Sequence, residues 1–211
     1  MSLHVNKIKE SLMAIKSIEV RFTGFAPLLQ NNPQTVDVFN HFAKAKKKYT
    51  AKRTKTDEDV LALRVLEIES KVWWDDELGV YVPSSWVMAS IAKNAFKVAK
   101  IAKDKARGAI FAIENKSKLT YDGMNTVKKL KDISKNERFN TLLILPQQQV
   151  RLAKAFPIFH KWSFDIGLEY DDKIVDRSSL LDVLEYSCKY NGFGDFRPTY
   201  GRALLEVTND K

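Results

Sequence analysis

Hydrophobic and polar positions alternate in two long stretches of the chain. In Ile15–Thr23, Ile18, Val20 and Phe22 occupy even positions and Lys16 is the exception, while Ser17, Glu19, Arg21 and Thr23 are polar. In Lys161–Tyr170, Trp162, Phe164, Ile166 and Leu168 alternate with Ser163, Asp165, Gly167 and Glu169. A period of two with one apolar side predicts half-buried strands. Gly24 and Pro27 close the first of them. Arg202–Thr208 repeats the pattern with Ala203, Leu205 and Val207 inward, and Ala109–Ile113 reads as a buried strand.

A helical period takes over elsewhere. After Pro83-Ser84-Ser85, the positions Val87, Met88, Ile91, Ala92, Ala95, Val98, Ala99 and Ala102 form one apolar stripe. Ser84 or Ser85 is placed to cap that helix and Gly108 to stop it, with Lys93, Lys97 and Lys100 on the opposite side. A second helix runs through Cys188 on Leu180, Leu181, Val183, Leu184 and Tyr186, with Ser178 or Ser179 as cap. Asp57–Lys71 predicts a third, its acidic first turn matched to the helix dipole. Val36–Ala43 suits a short helix, and Trp73-Trp74 and Tyr81-Val82 flank a tight acidic turn as in a hairpin. Glu114–Pro157 is mixed and reads as an insertion with a hairpin built on Leu142–Leu145 and Val150–Ala155. Asn191–Tyr200 is a glycine-containing loop.

Without the insertions the order is strand, helix, strand, strand, helix, strand. That predicts an α+β chain with a ferredoxin-like (RRM-like) βαββαβ core in a single domain, 1–211. The core takes 15–23, 81–115 and 158–208. Segment 30–80 is an insertion with basic and acidic parts, and 116–157 is a second insertion. Helices on one sheet face predict a core of Val20, Phe22, Val87, Ile91, Phe164, Ile166, Leu181, Leu184, Leu205 and Val207.

Composition adds a partner class. The 211 residues include 35 Lys and Arg against 26 Asp and Glu, a net charge of +9 that suits a polyanion, nucleic acid before an anionic membrane surface. A hydrophobic share of 45% excludes whole-chain disorder, and one cysteine excludes an internal disulfide framework. No apolar run nears the ~20 residues that span a bilayer. Met1–Ala14 carries Lys7, Lys9 and Glu10 and no signal-peptide core, so a cytoplasmic protein is expected.

The charge is segregated. Lys44, Lys46, Lys47, Lys48, Lys52, Arg53 and Lys55 fall in an acid-free block, read as a flexible polyanion-binding loop in which Tyr49 offers a stacking ring. The acidic stretch Asp57–Gly79 follows directly. A second basic zone spans Lys93–Arg107, and a third, mixed one spans Lys128–Arg138.

Enzymatic signatures are missing from the sequence. His4, His41 and His160 lie far apart without ligand spacing, and there is no HExxH or CxxC. Gly192-Phe193-Gly194 lacks a GK[ST] ending and precedes a strand, so it is no phosphate-binding loop of the P-loop kind. Cys188 reads as a core thiol. Asp165 and Glu169 share a strand face with Asp171, Asp172 and Asp176 nearby, the material of a metal-dependent nuclease or of a solvated sheet face. The expectation is a non-enzyme with no metal and no cofactor.

The open face of the predicted sheet carries Ser17, Glu19, Arg21, Asp165, Glu169, Arg202 and Glu206, without an aromatic platform. Binding is therefore expected on the insertions and the Lys93/Lys97/Lys100 helix side, mainly through phosphates. Arg197 has two readings: a phosphate clamp, or a turn-shaping partner of Asp195. Ser84 and Ser85 likewise suit either a helix cap or a phosphate site.

Three motifs carry a resemblance: Ile18–Leu29, Tyr81–Phe96 with Pro83, Ser84 and Ser85, and Asn191–Gly201 with Gly192, Gly194, Arg197 and Gly201. In these the chain resembles phage and prophage proteins that look like distant relatives of the repeat-associated mysterious protein (RAMP) superfamily, which includes backbone subunits of CRISPR effector complexes. The resemblance implies a ferredoxin-like core, a thumb-like insertion at 116–157, and a cytoplasmic setting in a bacterial host. The resemblance leaves the partner open among RNA, single-stranded DNA and protein; together with the charge placement it supports a phage-encoded binder of single-stranded DNA or RNA. The acidic stretch Asp57–Glu77 of one copy facing Lys44–Lys55 of the next would build head-to-tail homo-oligomers along the strand. No catalytic histidine of the RNA-processing members can be placed. Two rival readings remain: a protein-interaction module that mimics or blocks a host CRISPR complex subunit, and the nuclease centred on Asp165 and Glu169.

Overall fold

The computed structural model describes residues 15–147 and 150–210. The N-terminal stretch with His4 lies outside them. The fold is α+β with antiparallel sheets. Its largest sheet has the order β10-β1-β9-β5, made by β1 (Ile15–Gly24), β5 (Ile110–Ala112), β9 (Ser163–Asp171) and β10 (Ala203–Asp210). The alternation in β1 and β9 sets their register: Val20 lies opposite Ile166 and Phe22 opposite Phe164, both pairs buried. A one-residue slip would turn every one of these side chains to solvent, so the pattern itself selects the pairing.

Two helices supply the other half of the core. They are α3 (Ser84–Ala99), through Val87, Ile91 and Ala95, and α6 (Arg177–Tyr186), through Leu180, Val183 and Leu184. All ten expected core residues belong to this cluster, with Leu181, Leu205 and Val207 partly buried at its margin. Gly24 lets Trp162 close over the end of β1: a Cβ there would lie 2.1 Å from the indole, whose Nε1–H donates to the Ala26 carbonyl at 2.8 Å.

Several local expectations are corrected. The serines do not cap. Pro83 is the N-cap of α3 without a side-chain bond, and the Ser84 N–H donates to Asn115 O at 3.0 Å. Asp176 caps α6 by accepting from Ser179 N–H. Helix α3 stops at Lys100 in a left-handed turn rather than at Gly108, which lies inside a short helix, α4 (Lys103–Ala109). The sheet has one open face, so along β5 Ile110 is buried while Phe111, and Ile113 just beyond the strand, are exposed. The open sheet face therefore does carry an aromatic ring, Phe111 opposite Glu169.

The segments between core strands are structured. Segment 30–80 holds a 3-10 turn (Pro33–Val36) and two helices, α1 (His41–Thr50) and α2 (Asp57–Lys71). Val36–Ala43 is thus not one helix: Asn40 caps α1, which starts at His41. Helix α2 has the expected bounds, with a Thr56/Asp59 capping box. Strands β3 (Trp74–Asp75), β4 (Gly79–Pro83) and β6 (Lys116–Lys118) form a small sheet, which realises the Trp74/Tyr81 hairpin. A third sheet joins β2 (Leu28–Leu29), β8 (Val150–Phe159) and β7 (Asn140–Gln147), with helix α5 (Leu130–Lys135) before it. The β7–β8 hairpin is buried at its base by Phe156 and Ile158, and its far half projects with Ile144 at 69% and Val150 at 58% exposure.

Candidate nucleic-acid interface

The basic block Lys44–Lys55 is not a flexible loop. Its first part lies on α1 and its last part turns into α2. A helix sorts these residues by face. Lys44, Lys47 and Lys48 are exposed, while Lys46 is half-buried toward the hairpin. Lys52 is engaged within the chain, donating to Asp59 at 2.6 Å, and its ammonium lies 5.8 Å from the centre of the Tyr49 ring. Arg53 and Lys55 stay on the exposed turn. Basic and acidic segments thus meet inside one molecule.

Lys46 converges with two cations that charge runs in the sequence did not single out, Lys71 at the end of α2 and Lys154 on β8. All three surround Glu67, which is 7% exposed. Glu67 accepts the Ala155 N–H at 2.8 Å and the Lys154 ammonium at 3.2 Å, tying α2 to the hairpin. Lys71 donates to Ala155 O at 2.5 Å and sits 3.4 Å from the centroid of the Phe156 ring. Burial, with Lys46 and Lys154 adding to it against Glu67, pulls the Lys71 ammonium down to about 8. Burial lowers Lys46 in the same direction. A cluster with more cations than carboxylates, partly withdrawn from water, gains most from an anion that restores the balance.

Phe156 links this cluster to the glycine-containing loop. Phe196 meets it edge-on with ring centroids 5.1 Å apart. Gly192, Gly194 and Gly201 all take positive φ, and a Cβ at Gly201 would lie 1.8 Å from Phe193 O, so this tight path requires glycine. Beyond Phe196 a cavity of about 390 Å³ is lined by Lys93, Asn191, Asp195, Phe196, Arg197 and Pro198. Arg197 does not pair with Asp195: Asp195 accepts from Asn31 at 2.8 Å and from the Phe196 N–H, and Arg197 has no ion-pair partner among the described residues. Asn191 is fixed through Asn94, which bonds to Ser187 and to the Ser90 carbonyl.

Lys97 and Lys100 stand apart from this cleft. The Lys97 ammonium donates to the Tyr186 hydroxyl at 2.5 Å, and Lys100 lies 5.7 Å from the Phe96 ring centre. On the open sheet face Arg21 grips both oxygens of Asp165 at 2.7 and 2.8 Å. Cys188 is fully buried, and burial pushes its thiol up to about 12. Among the described residues no group of three or more His, Cys, Asp or Glu side chains comes together to hold a metal ion. Among them also, no helix is long and apolar enough to cross a membrane.

No family model matches the sequence, and no curated protein matches it. The structure is similar to a chain in the cryo-EM structure of the type III-B Cmr-beta bound to cognate target RNA, with a TM-score of 0.51 and 11% identity. The match covers 100% of this chain and spans 65% of that chain's length. At this identity the likeness is one of fold.

Proposed function

We propose that this chain is a non-enzymatic, RAMP-like protein that holds single-stranded RNA or DNA in the cleft around Phe156 and Phe196. The observation that carries the reading is the meeting of five cations from five separate segments (Lys46, Lys71, Lys154, Lys93 and Arg197) about two aromatic rings, against Glu67 and Asp195. Phosphates take the cations and a base takes the half-buried Phe196 ring, which the buried Phe156 supports, the combination that suits an unpaired strand. Lys44, Lys47, Lys48, Arg53 and Lys55 extend the positive field along α1, and Lys97 and Lys100 extend it along α3. The likeness to a chain of an RNA-bound Cmr assembly supports the same reading.

The strand order β10-β1-β9-β5 places the four core strands fourth, first, third and second, with α3 and α6 in the core cluster, which supports a ferredoxin-like core. On this reading the chain is one domain: 15–23, 81–115 and 158–208 build the core, 30–80 frames the cleft, and 116–157 supplies a thumb-like hairpin. A phage origin and a bacterial host rest on the motif resemblance, and a cytoplasmic setting on the composition as well.

The projecting hairpin favours a protein contact as well. Ile144, Val150 and Leu152 leave apolar side chains exposed on a two-stranded ribbon, which is marginal in water without a partner. A neighbouring copy along the strand, or a subunit of a host CRISPR complex, would cover it.

Fluorescence anisotropy with labelled single-stranded RNA, single-stranded DNA and duplex DNA over a salt series tests the main reading. Tight, salt-sensitive binding of a single strand that is lost in Lys46→Gln/Lys93→Gln/Arg197→Gln is the expected result. No binding of any of the three at low salt overturns it.

A further inference from the structure

A separate cavity of about 710 Å³, lined by α1, α2 and the segment before α5, shares no lining residue with the cleft. Its walls are apolar and aromatic, with Trp74, Leu66 and the His41 ring among them. A smaller cavity of about 220 Å³ adjoins it, and Trp74, Asp76 and Lys128 line both. Trp74 is therefore a partly exposed indole standing between two hollows. Its Nε1–H donates to Asp76 Oδ1 at 2.9 Å, which fixes the ring plane.

Two further chemistries meet there. Glu69 lines the larger cavity at 7% exposure, and the Ser134 hydroxyl, at 2.7 Å, is its one hydrogen-bond donor among the described residues. A buried carboxylate has room for several donors, so Glu69 retains accepting capacity in the cavity. Lys128, Lys129 and Lys131 also line the cavity, each exposed. Asp132 accepts the backbone N–H of both Lys128 and Lys129 at 2.8 Å, which holds this segment in place.

A flat aromatic wall, an acceptor floor and a cationic rim make contradictory demands on most ligands. A simple anion is repelled by Glu69, a simple cation by the lysines, and a hydrocarbon satisfies neither. A nucleotide meets all three: its base stacks, an amino group on its edge donates to a carboxylate, and its phosphate faces the lysines. We infer that this cavity is a base-selective subsite for one nucleotide of the bound strand. The base packs on Trp74, its exocyclic amino group donates to Glu69, and its phosphate meets Lys128, Lys129 and Lys131. Adenine, guanine and cytosine carry that amino group, whereas uracil and thymine do not. The inference rests on the strand-binding reading above.

The test compares anisotropy titrations of oligo-A, oligo-U and an abasic strand of equal length, using wild type, Trp74→Ala and Glu69→Leu, which removes the acceptor that a glutamine would keep. Wild type is expected to bind oligo-A roughly tenfold tighter than oligo-U, with the abasic strand weakest. Glu69→Leu should bring oligo-A down to oligo-U, and Trp74→Ala should bring both toward the abasic strand. The salt slope should stay unchanged, since no phosphate contact is removed. Thermal melts check that the variants fold, and Glu69→Leu decides the matter if Trp74→Ala does not. Equal wild-type affinity for all three strands, or a preference that survives both variants, overturns the subsite while strand binding stands. Absence of binding to every strand overturns both readings. Saturable quenching of tryptophan fluorescence by AMP without any strand binding overturns placement on a strand and makes the cavity a free-nucleotide site.

Discussion

The Lys71 ammonium lies 3.4 Å from the centre of the Phe156 ring and donates to the carbonyl of the adjoining residue, Ala155. One contact thus joins the C-terminal end of α2 to the root of the hairpin, and Phe196 on the other side of Phe156 joins both to the glycine-containing loop. The cleft exists because these three segments share one ring pair.

The first prediction concerns pH. The Lys71 ammonium, held at about 8 by burial, loses its charge between pH 7 and pH 9. A bound phosphate favours the charged form, so strand affinity should fall as pH rises through that range. Lys71→Arg, which keeps its charge, should flatten the profile; an unchanged slope in that variant would assign the dependence to another group. The same shift bears on stability. The unfolded chain holds this proton up to about 10.5, so between about 8 and 10.5 this group makes folding less favourable as pH falls.

The second separates the two sides of α1. Lys46→Gln and Lys154→Gln, both in the cleft, should each reduce the slope of log affinity against log salt by about 1 or slightly less. Lys47→Gln and Lys48→Gln, on the exposed face, should change affinity less. Equal effects on both sides would disperse the interface over the whole helix.

The third concerns stacking. Phe196→Ala should weaken single-strand binding by about 1–3 kcal/mol while leaving the salt slope intact, because it removes a ring and no cation. A loss for duplex DNA as large as for single strands would argue against stacking at this ring.

The fourth concerns Glu67. Glu67→Ala strips the buried Ala155 N–H of its acceptor and should cost about 1–3 kcal/mol in chemical denaturation. Faster hydrogen exchange at the hairpin root should accompany it. The ammonium of Lys71 should shift further down, since Glu67 raises it more than Asp195, the other acid that does so.

The fifth is steric. Gly24→Ala drives a methyl into the Trp162 indole, 2.1 Å away, and should destabilise the protein by about 1–3 kcal/mol or more, read as a lower denaturation midpoint.

Strands β1 and β9, helix α2 and the composition of the core were legible in the sequence, because each depends on a local period of apolar side chains. Cap assignments were less so. Pro83 and Asp176, rather than the neighbouring serines, take the cap positions, a choice made by backbone paths that only Asn115 and the chain before α6 define. The exposed Phe111 was missed because a strand with one open face and a strand buried on both faces can share the same apolar run. Of the cleft, Lys46, Lys93 and Arg197 were visible as charge and motif. Lys71, Lys154 and Phe156 were not: each stands in a stretch that reads as ordinary helix or strand, and their meaning comes from neighbours far along the chain.

By itself, the sequence determined strands β1, β9 and β10 and helices α2, α3 and α6, which sides of them face inward, and that the molecule carries an excess of positive charge. These follow from periodicity and composition, both local properties. The tertiary structure alone decided that Lys52 faces Asp59, that three lysines surround Glu67, and that Phe156 and Phe196 meet between two basic groups. Coulomb and stacking interactions depend on distance in space, and separation along the chain does not report it.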